Sequence, residues 1–279
     1  MVIKYLSYSS WSCYENNPEE FYWRYFSDAP RTPQLEPMAV GSAFDSCVKR
    51  DLVKILFGRD EDLFETAVEK QHWDTARPIG EEILRKYKEC GAFNDMLEEM
   101  QGAASEPVFE FDIINEVCGV PLRCKPDVFF INKHGARVVY DWKVNGYLAA
   151  KPPSPGKGYI KLRPGNKSHK DAIPMMHKGL MINAQYMDND WAKQLSMYAW
   201  VTGEPVGSED WIIGIDQLIG RDIRVASFRS RVASKFQYDQ YEKIKLAWDR
   251  IQQGWVFHNL TKEENDEKIA TKKGDWLFK

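Results

Sequence analysis

The sequence predicts an α/β protein in which a β-sheet is flanked by helices, and three observations carry that reading. The first is the run from Lys125 to Lys143, where Val128-Phe129-Phe130-Ile131 and Arg137-Val138-Val139-Tyr140 flank the polar segment Lys133-His134-Gly135. Two β-branched and aromatic runs around a short segment whose glycine can take positive φ signal a β-hairpin. The second is helical patterning on either side, over Met38 to Phe57 and Asn189 to Val201. In the earlier segment Ala43, Cys47, Val48, Leu52 and Ile55 recur with a period near 3.6. The third is a pair of alternating runs, Trp211 to Ile219 and Asp222 to Val232, which would extend the sheet by a second hairpin through Gly220-Arg221.

The charged residues of the first hairpin lie at its far ends. Asp127 and Asp141 are equally distant in sequence from His134 at the tip, so a symmetric hairpin sets the two carboxylates side by side on neighbouring strands. Side chains alternate along a strand, which puts Asp141 and Lys143 on one face and Tyr140 and Trp142 on the other. Two acids and a lysine therefore converge at one end of an apolar hairpin. A hard divalent cation would relieve the repulsion between the acids, and magnesium favours one or two carboxylates plus substrate phosphates. The plainer reading of Asp127 and Lys143 is a surface ion pair worth about 0 to 1 kcal/mol.

Other segments keep suggestive company with this hairpin. The order Pro126-Asp127, then Asp141-Trp142-Lys143, then Gln194-Leu195-Ser196-Met197-Tyr198 resembles the PD-(D/E)XK nuclease superfamily, and the Gln-x-x-x-Tyr helix is similar to its RecB-like, exonuclease-type branch. Leu6-Ser7-Tyr8-Ser9-Ser10-Trp11, Asn17-Pro18-Glu19-Glu20-Phe21 and Gly41-Ser42-Ala43-Phe44-Asp45 resemble the opening motifs of that branch. The resemblance implies a restriction-endonuclease-like core, with a mixed central sheet flanked by helices and a helical N-terminal part. It implies a Mg²⁺ or Mn²⁺ ion held by Asp127, Asp141, the Trp142 carbonyl and Asp45, with Lys143, Gln194 and Tyr198 completing the catalytic set. Asp45 stands where many members of the branch have a metal-binding histidine, and Asn17-Pro18 stands where some have Cys-Pro. Members with an iron–sulfur cluster use a C-terminal cysteine group, whereas the last cysteine here is Cys124, so no iron–sulfur cluster is expected.

With 279 residues, 43% hydrophobic and 13% aromatic, the chain suits a single nuclease domain over 1–279. No apolar run approaches the ~18 residues of a membrane span and no signal peptide is evident, so the expected location is the cytoplasm, away from membranes. The five cysteines Cys13, Cys47, Cys90, Cys118 and Cys124 are scattered without C-x-x-C spacing. They read as reduced structural thiols in a reducing compartment.

A net charge of −3 looks unsuited to a polyanion, but the charge is unevenly spread. Lys143, Lys151, Lys157, Lys161, Arg163, Lys167, Lys170 and Lys178 face only Asp171 in that stretch. Phosphate neutralisation by such residues gives salt-dependent affinity, and Lys151, Lys157, Lys161, Arg163, Lys167 and Lys170 are the candidate nucleic-acid contacts. Residues 147–185 are rich in proline and glycine without periodicity and read as a long basic loop, a substrate-binding flap. The bland alternative is solvated lysine-rich surface.

The remaining segments read as scaffold. Residues 9–26 predict two short helices with Pro18 opening the second, their aromatics serving as core. Asp45 lies off the centre of its helical stripe, so it reads either as a metal ligand or as a surface acid. Residues 60–101 read as a helical insertion or lid. Val108 to Cys118 reads as one long strand that forms a three-stranded meander with the hairpin; Glu110 and Glu116 on it are either further metal ligands or plain edge glutamates. Gln194 and Tyr198 share a helix face, able to hydrogen-bond a phosphate or a water, or else mark a helix surface with a partly buried tyrosine. Tyr238 to Gln253 predicts a closing helix, and the charged tail from Thr261 is expected to be loose, with Trp276 and Phe278 as docking points. No Gly-rich phosphate loop or helicase motif is present, so ATP use is not expected.

What the resemblance implies is a divalent-metal-dependent deoxyribonuclease, an exonuclease in DNA recombination, repair or processing, with DNA as expected partner and a recombination or annealing protein as a further candidate partner. The alternatives are a non-catalytic nucleic-acid-binding or assembly subunit on the same fold, and a DNA-processing component of a CRISPR adaptation system.

Overall fold

The computed structural model describes residues 3–27, 32–146, 174–183, 189–220 and 224–276. The expected hairpin forms from β5 (Val128–Ile131) and β6 (Arg137–Asn145), antiparallel, with Val128 opposite Tyr140. This is the register symmetric about His134. The turn is held by Asn132, whose side-chain oxygen accepts from the amides of His134 and Ala136, and Gly135 takes a φ of 83°, a left-handed conformation open to glycine at little cost.

Among the described residues the hairpin belongs to a mixed seven-stranded sheet. β2 (Val108–Phe109) pairs with β5, and β9 (Ile212–Ile219) runs parallel to β6 on the other side. β10 (Arg224–Ser230) pairs antiparallel with β9, as the alternation predicts, and residue 221 of the expected turn lies outside the described residues. β7 (Pro174–His177) and β8 (Leu180–Asn183) complete the far edge. These two strands correct the expectation of structureless chain throughout 147–185; the six candidate nucleic-acid contacts between Lys151 and Lys170 lie outside the described residues. Every position of β9 is buried, the mark of a strand covered on both faces.

Helices cover those faces. α3 (Glu36–Phe57), α4 (Phe64–Ala67), α5 (Trp73–Glu89) and α6 (Ala92–Gln101) pack against Val128, Phe130, Val138 and Tyr140 on one face. The helices of 60–101 thus contribute Phe64, Ile83, Tyr87 and Met96 to the same core as the sheet. α7, spanning Asn189–Val201 as predicted, covers Val139, Ile213 and Ile215 on the other face.

The long strand expected over Val108 to Cys118 is two strands in two sheets. Glu110 takes a φ of 52°, which ends β2, and the chain then enters β3 (Ile113–Val117), paired with β4 (Val120–Cys124). β1 (Leu6–Ser7) joins them, parallel to β4, in a separate three-stranded sheet. The meander is therefore divided at Glu110 and again at Lys125-Pro126. The N-terminal helices α1 (Tyr8–Asn16) and α2 (Pro18–Phe21), followed by a π-helical turn over Tyr22–Phe26, bury Trp11, Tyr14, Phe21 and Tyr22 against this sheet. Ser7 and Ser10 form a reciprocal capping box at the head of α1, and Asn17 caps α2, its side-chain oxygen accepting from the Glu20 amide. α8 (Ser234–Gln252) closes the fold as expected.

The tail is the other correction. Residues Lys262–Trp276 form helix α9, anchored by fully buried Asn265, whose Oδ1 accepts from the Val256 and Phe257 amides at 2.9 Å. Lys268 and Lys272 reach Glu19 at 2.5 and 2.7 Å and lie over the rings of Phe257 and Trp23. Ion pairs and stem packing thus hold a segment whose composition alone reads as solvated. The Trp276 side chain and Phe278 lie outside the described residues. Among the described residues no helix is long and apolar enough to cross a membrane.

Candidate active site

Helix α3 carries Asp45 and Lys49 one turn apart, and because it packs across the hairpin, both reach the ends of β5 and β6. Lys49 is 2% exposed. Its ammonium donates to Asp45 Oδ2 at 2.6 Å, to Asp127 Oδ1 at 3.1 Å and to Glu110 Oε1. Burial alone would lower the pKa of Lys49, but the carboxylates of Asp127, Asp45 and Glu110 outweigh it and keep the ammonium charged. Glu110 also pairs with Lys125; burial would raise its pKa, and the two lysines hold it below the usual range. Burial and repulsion from Asp127 push Asp45 the other way, well up.

Asp127 joins this group to the second half of the site. Its Oδ2 accepts from the Trp142 amide at 3.1 Å, and its carboxyl interacts with that of Asp141 across the hairpin. Asp141 is 4% exposed. Burial, reinforced by repulsion from Asp127 and opposed by Lys143, pushes its pKa up to about 7. Lys143 Nζ lies 2.5 Å from Asp141 Oδ2 and donates to Gln194 Oε1 at 2.9 Å. Gln194 Nε2 in turn donates to the Tyr198 hydroxyl at 2.9 Å. Burial raises the Tyr198 pKa, so the phenol stays protonated.

The expected residues thus converge: Asp45, Asp127, Asp141, Lys143, Gln194 and Tyr198 form one connected set. Two further members, Lys49 and Lys125, are not marked by the sequence, and Glu110 is marked there only as one of two alternatives. Lys49 follows Asp45 by four residues, a spacing that in sequence reads as an ordinary helix-surface pair; its place near the buried stripe of Cys47, Val48 and Leu52 is the one local signal. Of the two glutamates on the Val108 to Cys118 run, Glu110 reaches Lys49 and Lys125 inside the site, while Glu116 on β3 is exposed. Lys125 carries no local signal. On the opposite face the Trp142 indole donates to the Tyr87 hydroxyl at 3.4 Å, Tyr87 donates to buried Asp216, and Arg229 lies 3.0 Å from Glu99. This buried network pins the strand that bears Asp141 and Lys143.

The donor set suits a hard cation. Asp45, Glu110 and Asp127 each offer an oxygen within 4.8 Å of the others, the one such group of three among the described residues. Asp45 Oδ1 is buried without a hydrogen-bond partner, an acceptor that a cation or its water would satisfy. All donors are carboxylate oxygens, the ligands of magnesium and manganese rather than of softer metals. A cleft of about 1310 Å³ opens beside the site. Lys4, Tyr5, Tyr8, Arg24 and Arg123 line its walls, and Lys125 and Tyr198 stand where it meets the connected set of side chains.

A family model described as the PD-(D/E)XK nuclease superfamily matches residues 5–156. With more than half of its length matched, the chain belongs to that superfamily. PD-(D/E)XK nucleases are hydrolases that use divalent metals, and the acidic group such an ion requires is present. No curated protein matches the chain. The solved structure titled "Crystal structure of SSO0001" is similar over 84% of this chain and 85% of that one, at 12% identity and a TM-score of 0.28.

Proposed function

We propose that this protein is a divalent-metal-dependent deoxyribonuclease of the RecB-like branch, an exonuclease serving DNA recombination, repair or processing. The observation that carries this reading is the meeting of Asp127, Asp141 and Lys143 at one strand end, with Lys143 steered by Gln194. Asp127, Asp141, the Trp142 carbonyl and Asp45 are the residues that would hold Mg²⁺ or Mn²⁺. When bound, such an ion supplies Lewis acidity to the scissile phosphate and to the attacking water.

The chain's own groups do the rest. Lys143, held between Asp141 and Gln194, presents an ammonium that orients water and counters charge developing on the phosphate. Gln194 and Tyr198 keep that ammonium in place through successive hydrogen bonds and offer donors to phosphate oxygens. The cleft is lined by Tyr5, Tyr8 and Tyr25 and by five basic side chains, Lys4, Arg24, Lys70, Arg123 and Lys125, against three acids, Glu20, Glu65 and Glu69; its rings offer stacking surface to bases and its cationic excess offers partners to phosphates. The five free cysteines suit a reducing cytoplasm.

The test is to incubate purified protein with end-labelled linear and closed circular DNA, with and without Mg²⁺ or Mn²⁺. The expected result is metal-dependent degradation of linear DNA from its ends, circular DNA being spared, and loss of cleavage in Asp127→Ala, Asp141→Ala and Lys143→Ala. Wild-type protein that binds DNA yet cuts nothing in either metal would establish a non-catalytic binding subunit instead.

A further inference from the structure

We propose that Lys49 is a built-in cation standing in for a second divalent ion, so that the site takes up one metal ion rather than two. The inference rests on the metal-dependent reading above. Phosphodiesterase sites with two ions hold them roughly 3.5–4 Å apart, clamped by shared carboxylates. Here Asp127 is the shared carboxylate: one side faces Asp141, and its Oδ1 accepts from Lys49 at 3.1 Å. Asp45 and Glu110, the two acids that join Asp127 in a metal-capable group, both spend an oxygen on the same ammonium.

Burial and backbone geometry support a permanent role. Lys49 is 2% exposed, and an ammonium so placed is retained only when its charge is matched. Glu110 reaches it from a left-handed backbone conformation, φ 52°, which a non-glycine residue adopts at a cost. Charge balance points the same way. Asp45, Glu110, Asp127 and Asp141 face Lys49, Lys125 and Lys143, so four carboxylates meet three ammonium groups. With all four acids ionised in the metal-bound form, one divalent ion leaves a modest positive balance for a phosphate, whereas a second would crowd like charge against Lys49.

The experiment is Mn²⁺ titration of the full chain, stripped with chelator, followed by calorimetry and by the EPR signal of free Mn²⁺, for wild type, Glu110→Gln and Lys49→Met. Wild type is expected to take up one equivalent. Glu110→Gln should also take up one, with affinity within about threefold of wild type, because its carboxylate serves Lys49 and not the metal. Lys49→Met should take up two, with a larger Mn²⁺-dependent rise in melting temperature than wild type. Two equivalents in wild type overturn the proposal, as does a tenfold or greater loss of affinity in Glu110→Gln, or a folded Lys49→Met that still takes up one. Where Lys49→Met does not fold, Glu110→Gln decides. No uptake by wild type would bring down the metal-dependent reading itself and this inference with it.

Discussion

Lys143 donates to Gln194 at 2.9 Å, a hydrogen bond that ties strand β6 to helix α7 across the candidate active site. Removing the ammonium in Lys143→Met should lower kcat by roughly 10²–10³, the loss seen when one transition-state donor is deleted. Gln194→Ala leaves the ammonium but frees it, and should lower kcat about 10- to 100-fold, the scale for partners that orient metal-site residues. Single-turnover kinetics on end-labelled DNA separates this from binding, since KM should change little in Gln194→Ala. A Gln194→Ala enzyme at the wild-type rate would show the bond to be structural only.

Asp141 makes stability pH-dependent in metal-free protein. Its pKa is about 7 in the fold against roughly 3.9 in an unfolded chain. Between these values the folded protein retains a proton that the unfolded chain has lost. The stabilisation is complete below about pH 4 and is lost as pH rises through about 7, with a slope of up to about 1.4 kcal/mol per pH unit. Urea unfolding in chelator from pH 5 to 8 should show wild type losing stability relative to Asp141→Asn as pH rises. Parallel curves for the two proteins would refute the assignment.

Gly80 sets how closely α5 approaches the helix that bears Asp45 and Lys49. A Cβ there would lie 2.7 Å from the Ala43 carbonyl carbon and 2.9 Å from the Ala43 Cβ. Gly80→Ala should destabilise by about 1–3 kcal/mol, the range for overpacking a core, despite alanine's better helix propensity. Chemical denaturation measures this, and the displacement of α3 should also weaken Mn²⁺ uptake. A more stable Gly80→Ala protein would contradict the tight crossing.

The basic segment should supply salt-dependent affinity. Replacing Lys151, Lys157, Lys161, Arg163, Lys167 and Lys170 with glutamine should flatten the slope of log affinity against log salt, by about 0.9 per lost phosphate contact on duplex DNA and 0.7 on single strands. Binding in metal-free buffer across a salt series reads this directly. An unchanged slope would leave the cleft beside the N-terminal aromatic helices as the path of the strand.

Much of this molecule is decided locally. The hairpin register followed from period-two alternation about a turn centred on His134, and it alone set Asp127 opposite Asp141 with Lys143 on the same face as Asp141. Helix α7 and the pairing of Gln194 with Tyr198 followed from the 3.6-residue repeat. Both are properties of neighbours in sequence, which short-range sterics and burial of one face suffice to specify.

Tertiary structure decided the rest, because it depended on distant residues sharing charge. The chain after Glu110 leaves the main sheet where Glu110 takes a left-handed conformation and engages Lys49 and Lys125, an outcome that β-propensity over Val108 to Cys118 does not contain. The tail folds because Glu19, Phe257 and Trp23 are there to receive Lys268 and Lys272. Lys49 meets Glu110 across 61 residues and Asp127 across 78. A lone lysine four residues after an aspartate reads as a solvated pair; only when three elements close around it does desolvation make its charge indispensable to the carboxylates it joins.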